Sequence, residues 1–206
     1  MSRAPESFYK KRLSDDNIVS YVKAVRGGKT GRPAAPSRRV ITGIPSELQK
    51  EYGRNNCSLC SAACVLSRES SRDFAEVYPI VRKKAFWPLY RERGRGTNPF
   101  AIAWIMNRAA RALGAAKRAH ARAVRGVGFG YAGIMRLIDG GTPVIISFHH
   151  DGNRYYRSHS VTITGYVYLR MSRPVRLLVI QDNWSRSVSY LDYDRMSRIA
   201  MIDYMK

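Results

Sequence analysis

The hydrophobic positions follow one spacing in the first part of the chain and another after residue 142. Ser58-Leu-Cys-Ser-Ala-Ala-Cys-Val-Leu66 is small, apolar and free of Gly and Pro. Such a run predicts a helix that packs tightly inside a domain. Asn98-Pro99 is a helix-start signal, with Pro at the first helical position, and predicts a second helical region through the Ala-rich stretch 102–124. From Thr142 the pattern shortens. Pro143-Val-Ile-Ile-Ser-Phe148 reads as a buried strand, and Asp151-Gly152 as a hairpin turn into 154–158. Ser160-Val-Thr-Ile-Thr-Gly165 alternates with period two, Arg176-Leu-Leu-Val-Ile-Gln181 is a further strand, and 187–191 another. Helices come first and strands second, which is an α+β pattern with segregated halves.

The segment before residue 40 differs. Arg26-Gly-Gly-Lys-Thr-Gly-Arg-Pro-Ala-Ala-Pro36 has linker composition, and residues 1–40 carry ten Lys and Arg against three acids. Residues 1–39 are expected as a basic flexible arm with a short helix at 15–25, and residues 40–206 as one folded domain. A 45 % hydrophobic content excludes wholesale disorder. The longest apolar run, residues 100–106, is far short of the ~20 residues of a membrane span. The N-terminus lacks the apolar core of a secretory signal peptide.

Net charge is +21, from 36 Lys and Arg against 15 Asp and Glu. A positive excess of that size steers a protein toward phosphate backbones or acidic partners. A basic face is expected on the 102–124 region, made by Arg108, Arg111, Lys117, Arg118, Arg122 and Arg125. No nucleic-acid reading motif accompanies it, so nucleic acid is a secondary expectation. Gly128-Phe-Gly-Tyr-Ala-Gly133 matches the glycine pattern of dinucleotide sites, but a helical segment is expected before it where such sites need a strand.

Three cysteines, Cys57, Cys60 and Cys64, lie within eight residues. An odd count argues against a disulfide framework, and no second ligand pair accompanies Cys57-x-x-Cys60 for zinc. No metal or cofactor is expected. The chain instead offers Gln49, Asn55-Asn56-Cys57, His159 and Asp182-Asn183-Trp184 in that order. A thiol is a weak nucleophile until it ionises, and a helix N-terminus and a nearby imidazolium both favour the thiolate. Cys57 stands where a loop meets the small-residue helix. His159 opens the alternating strand, and Asp182 ends the next. If those strands pair antiparallel, Asp182 lies beside His159 and can hold its tautomer. Asn183 is the reserve for that task. The Cys57 main-chain N–H and the Gln49 carboxamide are candidate oxyanion donors. Trp184 is expected to shield the His–Asp pair.

His159-Ser-Val-Thr-Ile-Thr-Gly-Tyr166, followed by Leu178-Val-Ile-Gln-Asp-Asn-Trp184, resembles the His strand and the Asn-Ser-Trp strand of papain-like cysteine peptidases. Gly140-Gly-Thr-Pro-Val-Ile-Ile146 resembles a strand of their double-glycine peptidase branch, found in bacteriocin exporters. That branch also carries Gln, then Cys at a helix start, then His and Asp. Asn-Asn-Cys resembles the nucleophile loop of papain-fold bacterial toxins. The resemblance covers residues 45–66 and 130–190, and nothing between 67 and 128. It departs at Ser58, where the family often has Gly. Cys60 stays open as an alternative nucleophile, because it mimics a Cys-x-x-Cys-x-Ala pattern, though Cys57 is the preferred one.

The resemblance implies a helical lobe with the nucleophile helix packed on an antiparallel sheet lobe. It implies a thiol-dependent peptidase with Cys57, His159 and Asp182 catalytic and Gln49 in the oxyanion site. Substrates would be proteins, acidic or nucleic-acid-associated ones included, cut after Gly-Gly. Without a signal peptide, the resemblance to effector toxins implies delivery into a target cell, action in its cytoplasm and a cognate immunity protein. The same fold hosts glutamine deamidases and amidases, so the alternatives are a deamidase toxin or a basic nucleic-acid-binding module without catalysis.

Overall fold

The computed structural model describes residues 13–26, 37–86, 88–91, 96–123, 130–148, 156, 158–170, 174–196 and 200–206. In chain order they form α1 (Asp15–Arg26), β1 (Ser37–Val40), α2 (Cys57–Ser70), α3 (Phe74–Lys84), β2 (Tyr90–Arg91), β3 (Gly96–Thr97) and α4 (Ile102–Leu113). Then follow β4 (Ala119–Ala123), α5 (Tyr131–Asp139), β5 (Val144–Phe148), β6 (Ser160–Leu169), β7 (Val175–Gln181), β8 (Ser189–Asp192) and β9 (Ala200–Met205). The protein is α+β. Its main sheet runs β4-β9-β5-β6-β7-β8, with β1 added alongside β6, and every pairing in it is antiparallel. No described helix is long and apolar enough to cross a membrane.

The small-residue run does form a helix, α2, and residues 58–67 are all buried. A helix buried on every side is placed by its small side chains, which let neighbours approach closely. Leu59, Val65 and Leu66 add about 1.5–3 kcal/mol each by leaving water. The second helical region starts as expected. The Asn98 side chain accepts from Phe100 N–H, and Pro99 opens a 3-10 turn, Pro99–Ala101, that leads into α4. It does not reach residue 124. Gly114 takes a left-handed φ of 71° and ends α4, and the Ala-rich segment beyond becomes strand β4 against β9. Alanine is the best helix former, but helix propensity is a small preference that tertiary pairing overrides, and here the open edge of β9 does so. The expected basic face is thereby split: Arg108 and Arg111 lie on α4, Arg122 lies on β4, and Arg125 lies outside the described residues. The nearest described residues before the glycine pattern, Ala119–Ala123, likewise form a strand, not a helix, but it joins no parallel pair, so no dinucleotide unit forms among the described residues. Gly128, Phe129 and the expected Asp151-Gly152 hairpin lie outside the described residues, as do His149 and His150.

Part of the expected arm is packed. Leu13 and Tyr21 are buried with Val175, Leu177, Val179 and Tyr190, and the Tyr21 hydroxyl donates to Asp192. Ile18, Tyr21 and Val22 form a helical stripe that seeks this second, smaller core. Residues 37–39 pair with β6. Residues 1–12 and 27–36 lie outside the described set.

Strand β6 is not a simple alternating strand. Its register against β7 shifts between Ile163 and Gly165. One inserted residue reverses which side chains face which side. Ser160 and Thr162 therefore face α2, where Ser58 and Ser61 bond Ser160, whereas Tyr166 turns to the other face and meets the Tyr131 ring of α5. Gly165 follows the bulge because a Cβ there would lie 2.4 Å from the Arg39 carbonyl oxygen on β1. On β9, Asp203 is wholly buried near the Ala103 main chain in the first turn of α4. Burial pushes its pKa up to about 7, and the Ala103 main chain offsets this only in part.

Candidate active site

Cys57 is the first residue of α2. The loop before it is held from three directions, all within the stretch that matched nothing by sequence. The Tyr78 hydroxyl on α3 donates to the Tyr52 carbonyl at 3.1 Å and accepts from Asn56 Nδ2 at 2.9 Å. The Tyr90 hydroxyl on β2 donates to the Arg54 carbonyl at 2.8 Å. Gly96 on β3 lies so close to Asn55 that a Cβ would sit 2.7 Å from the Asn55 carbonyl oxygen. Asn55 itself is left-handed, with φ 51°. These contacts turn the chain abruptly into the helix and fix where its first side chain points. At that first position the Cys57 N–H has no intrahelical acceptor, and the helix dipole places partial positive charge beside the sulfur.

His159 directly precedes β6 and is 5 % exposed. The antiparallel pairing of β6 with β7 brings Asp182 to it, as the strand argument requires. The contact runs through an unexpected atom. His159 Nε2 lies 2.7 Å from the main-chain carbonyl oxygen of Asp182. A carbonyl only accepts, so Nε2 carries the proton in that bond and Nδ1 keeps the lone pair in the neutral ring. The Asp182 carboxylate accepts instead from the Tyr156 hydroxyl at 3.1 Å, the Ser189 hydroxyl at 3.0 Å, and the Trp184 and Ser185 N–H groups at 3.0 and 3.2 Å. Asp182 is thus a wholly buried anchor for the turn after β7, and that turn presents its carbonyl to the imidazole.

Trp184 covers the imidazole, its ring centroid 4.3 Å from that of His159, while Tyr156 lies 5.7 Å away and nearly parallel. Tyr156 and Trp184 also touch each other at 5.3 Å, so the three rings form a triangle that limits water around His159. The shielding place expected for Trp184 is the one it occupies.

The thiol of Cys57 is half-buried and bonded to His159. Burial pushes its pKa up. The hydrogen bond to His159, the charge of that imidazole, the Ser160 main chain and the Ser58 hydroxyl together outweigh burial and bring it down to about 7. Burial alone would lower His159, but the bond to Cys57, the thiolate charge, the Asp182 carbonyl and, least, the charge of the Asp182 carboxylate raise it. Thiolate and imidazolium therefore stabilise each other. Cys60 and Cys64 are core residues with no exposure. Burial pushes Cys60 far above an ordinary thiol and Cys64 up to about 12. That contrast separates Cys57 from the alternative nucleophile.

Ser58, where the resemblance leads one to expect Gly, has a role. Its hydroxyl lies 2.7 Å from the Ser160 hydroxyl, which lies 2.8 Å from that of Ser147 on β5. Gln49 opens a 3-10 turn, Gln49–Glu51, on the loop leading to Cys57. Its N–H donates to the Asn183 carbonyl at 2.9 Å, and its own carbonyl accepts from Asn56 Nδ2 at 3.3 Å. Its Oε1 is buried without a partner.

Asn183 ties these parts together. It adopts a left-handed φ of 59°. Its carbonyl holds Gln49, and its Nδ2 donates to the Cys57 carbonyl at 3.4 Å and the Ser61 hydroxyl at 2.9 Å. Sequence reasoning placed Asn183 only as a reserve for Asp182, and it did not find Tyr156, Ser160 or Ser189. Asn between two functional residues, in a place that needs a left-handed turn, was the available signal.

No protein-family model matches the chain, and no curated protein is similar to it.

Proposed function

We propose that the protein is a papain-like cysteine hydrolase, acting as a peptidase on protein substrates. The observation that carries this is the Cys57 thiol at a helix N-terminus, bonded to an imidazole whose far nitrogen is already committed to the Asp182 carbonyl. His159 Nδ1 takes the thiol proton, and the Cys57 sulfur attacks the acyl carbon. The oxyanion formed there meets the Cys57 N–H and the Gln49 carboxamide. The imidazolium then gives its proton to the leaving amine as the C–N bond breaks. A water, deprotonated by Nδ1, attacks the thioester, and the carboxylate product leaves as the thiol regains a proton.

The double-glycine resemblance favours cleavage after Gly-Gly. The toxin resemblance favours an effector delivered into a neighbouring cell, acting in its cytoplasm and held in check by an immunity protein. A glutamine deamidase uses the same acyl chemistry with ammonia leaving, and is the second reading. The test is cleavage of a peptide library by the full chain. Thiol-dependent cleavage that Cys57→Ala abolishes and Cys60→Ala spares supports the peptidase. Release of ammonia from glutamine peptides without chain cleavage makes it a deamidase. Neither activity, together with no labelling of Cys57 by iodoacetamide, overturns the hydrolase. Growth arrest on cytosolic expression, relieved by Cys57→Ala, tests the effector role.

A further inference from the structure

The outward face of α4 is unlike the rest of the described surface. Only five large hydrophobic residues of the described set are exposed, and three of them meet here: Phe86 at 52 %, Phe100 at 75 % and Trp104 at 39 %. Phe86 follows α3 and packs edge-on to Trp104, with centroids 5.7 Å apart. The Arg108 guanidinium lies 4.8 Å over the Trp104 ring. Phe100, Trp104, Arg108 and Arg111 follow at spacings of four, four and three, which is one helical stripe, and each is exposed. α4 contains no acid, and α3 ends in Arg82, Lys83 and Lys84 just before Phe86. Between residues 77 and 138 the sequence has thirteen Lys and Arg against the single acid Glu92.

Flat rings beside planar guanidinium groups, on a helix that carries no acid, suit a polyanion that also carries flat apolar faces. We propose that this stripe binds single-stranded nucleic acid, with bases stacking on Phe100, Trp104 and Phe86 and phosphates meeting Arg108 and Arg111. Base stacking tolerates any sequence, which agrees with the lack of a reading motif. An anionic membrane is the poorer fit. An interfacial helix turns its aliphatic side to lipid, whereas Ile102, Ile105, Met106 and Leu113 of α4 all face the core. The site uses no residue of the Cys57 centre, so it stands or falls apart from the hydrolase.

The experiment is fluorescence anisotropy of a labelled fifteen-nucleotide oligouridylate with the full chain, across a salt series. Parallel arms use phosphatidylserine vesicles and polyglutamate as competitor. Trp104→Ala and Phe100→Ala are each expected to weaken binding about tenfold, and Trp104→Phe to restore most of it. Arg108→Gln with Arg111→Gln is expected to flatten the log–log salt slope by about 1.4, at roughly 0.7 for each phosphate no longer neutralised. Matching circular dichroism spectra establish that the variants fold. Binding that ignores both aromatic substitutions overturns the proposal, because bulk charge then suffices. Polyglutamate competing as well as unlabelled oligonucleotide overturns it, as does capture by vesicles without oligonucleotide binding.

Discussion

His159 donates from Nε2 to the main-chain carbonyl of Asp182 at 2.7 Å, while the Asp182 carboxylate is engaged by Tyr156, Ser189 and two N–H groups of the following turn. The residue that orients the imidazole does so with its backbone, and its side chain holds that backbone in place.

Asp182→Asn is therefore expected to act on stability before chemistry. An amide puts a donor where four donors already converge, so at least one is left unpaired. The expected loss is roughly 2–3 kcal/mol, read by denaturant unfolding. The carbonyl remains, and hydrolysis by the folded fraction should persist. Loss of activity with unchanged stability would instead mean that the carboxylate itself acts on His159.

The thiol titration gives a second prediction. Alkylation of Cys57 by iodoacetamide should rise with pH through about 7, as the thiolate forms. In His159→Ala the partner is gone and burial remains, so the midpoint should move above 9. Peptide mapping after labelling in the native state should find the label at Cys57 and not at Cys60 or Cys64, whose pKa values burial raises.

Asn183 separates geometry from packing. Asn183→Gly keeps the left-handed turn and removes the bonds to Cys57 and Ser61. It should cost about 1 kcal/mol in stability, and kcat should fall while KM changes little. Asn183→Ala must also adopt the φ of 59°, which adds roughly 1–2 kcal/mol. Equal stability of the two variants would refute the strain argument.

Asp203 predicts a pH dependence of stability. Its folded pKa is raised to about 7, so the folded state holds this proton more tightly than the unfolded chain. The resulting stability is complete below about pH 4 and is lost as pH rises toward 7, by roughly 4 kcal/mol at most. Asp203→Asn should remove that part of the slope in urea unfolding from pH 4 to 8. A slope unchanged by the substitution would exclude Asp203 as its source.

What was legible in the sequence follows from which interactions are local. The run from Ser58 to Leu66 declares a buried helix by its own composition, and Asn98-Pro99 declares a helix start by its own geometry. The order Cys57, His159, Asp182 predicted the meeting of three segments because antiparallel pairing fixes which strand ends adjoin. Strand β4 was illegible, since Ala119–Ala123 has helical composition and becomes a strand only because β9 offers an edge. The brace around Asn55 and Asn56 was equally hidden. It rests on Tyr78 and Tyr90 hydroxyls whose main-chain partners lie 26 and 36 residues away, and nothing in either Tyr announces them. The carbonyl of Asp182 could not be preferred to its carboxylate without knowing that Ser189 and Tyr156 converge there.

The file of hydroxyls from Ser58 through Ser160 to Ser147 has a consequence for the moment the sulfur becomes negative. Each hydroxyl can swing its hydrogen toward or away from Cys57 without moving a heavy atom. When the thiolate forms, all three can turn the same way; when the sulfur takes its proton back, all three can turn back. The buried interior thereby acquires a small polarisable medium of its own, matched to a charge on Cys57 that appears and vanishes as its thiol titrates near pH 7.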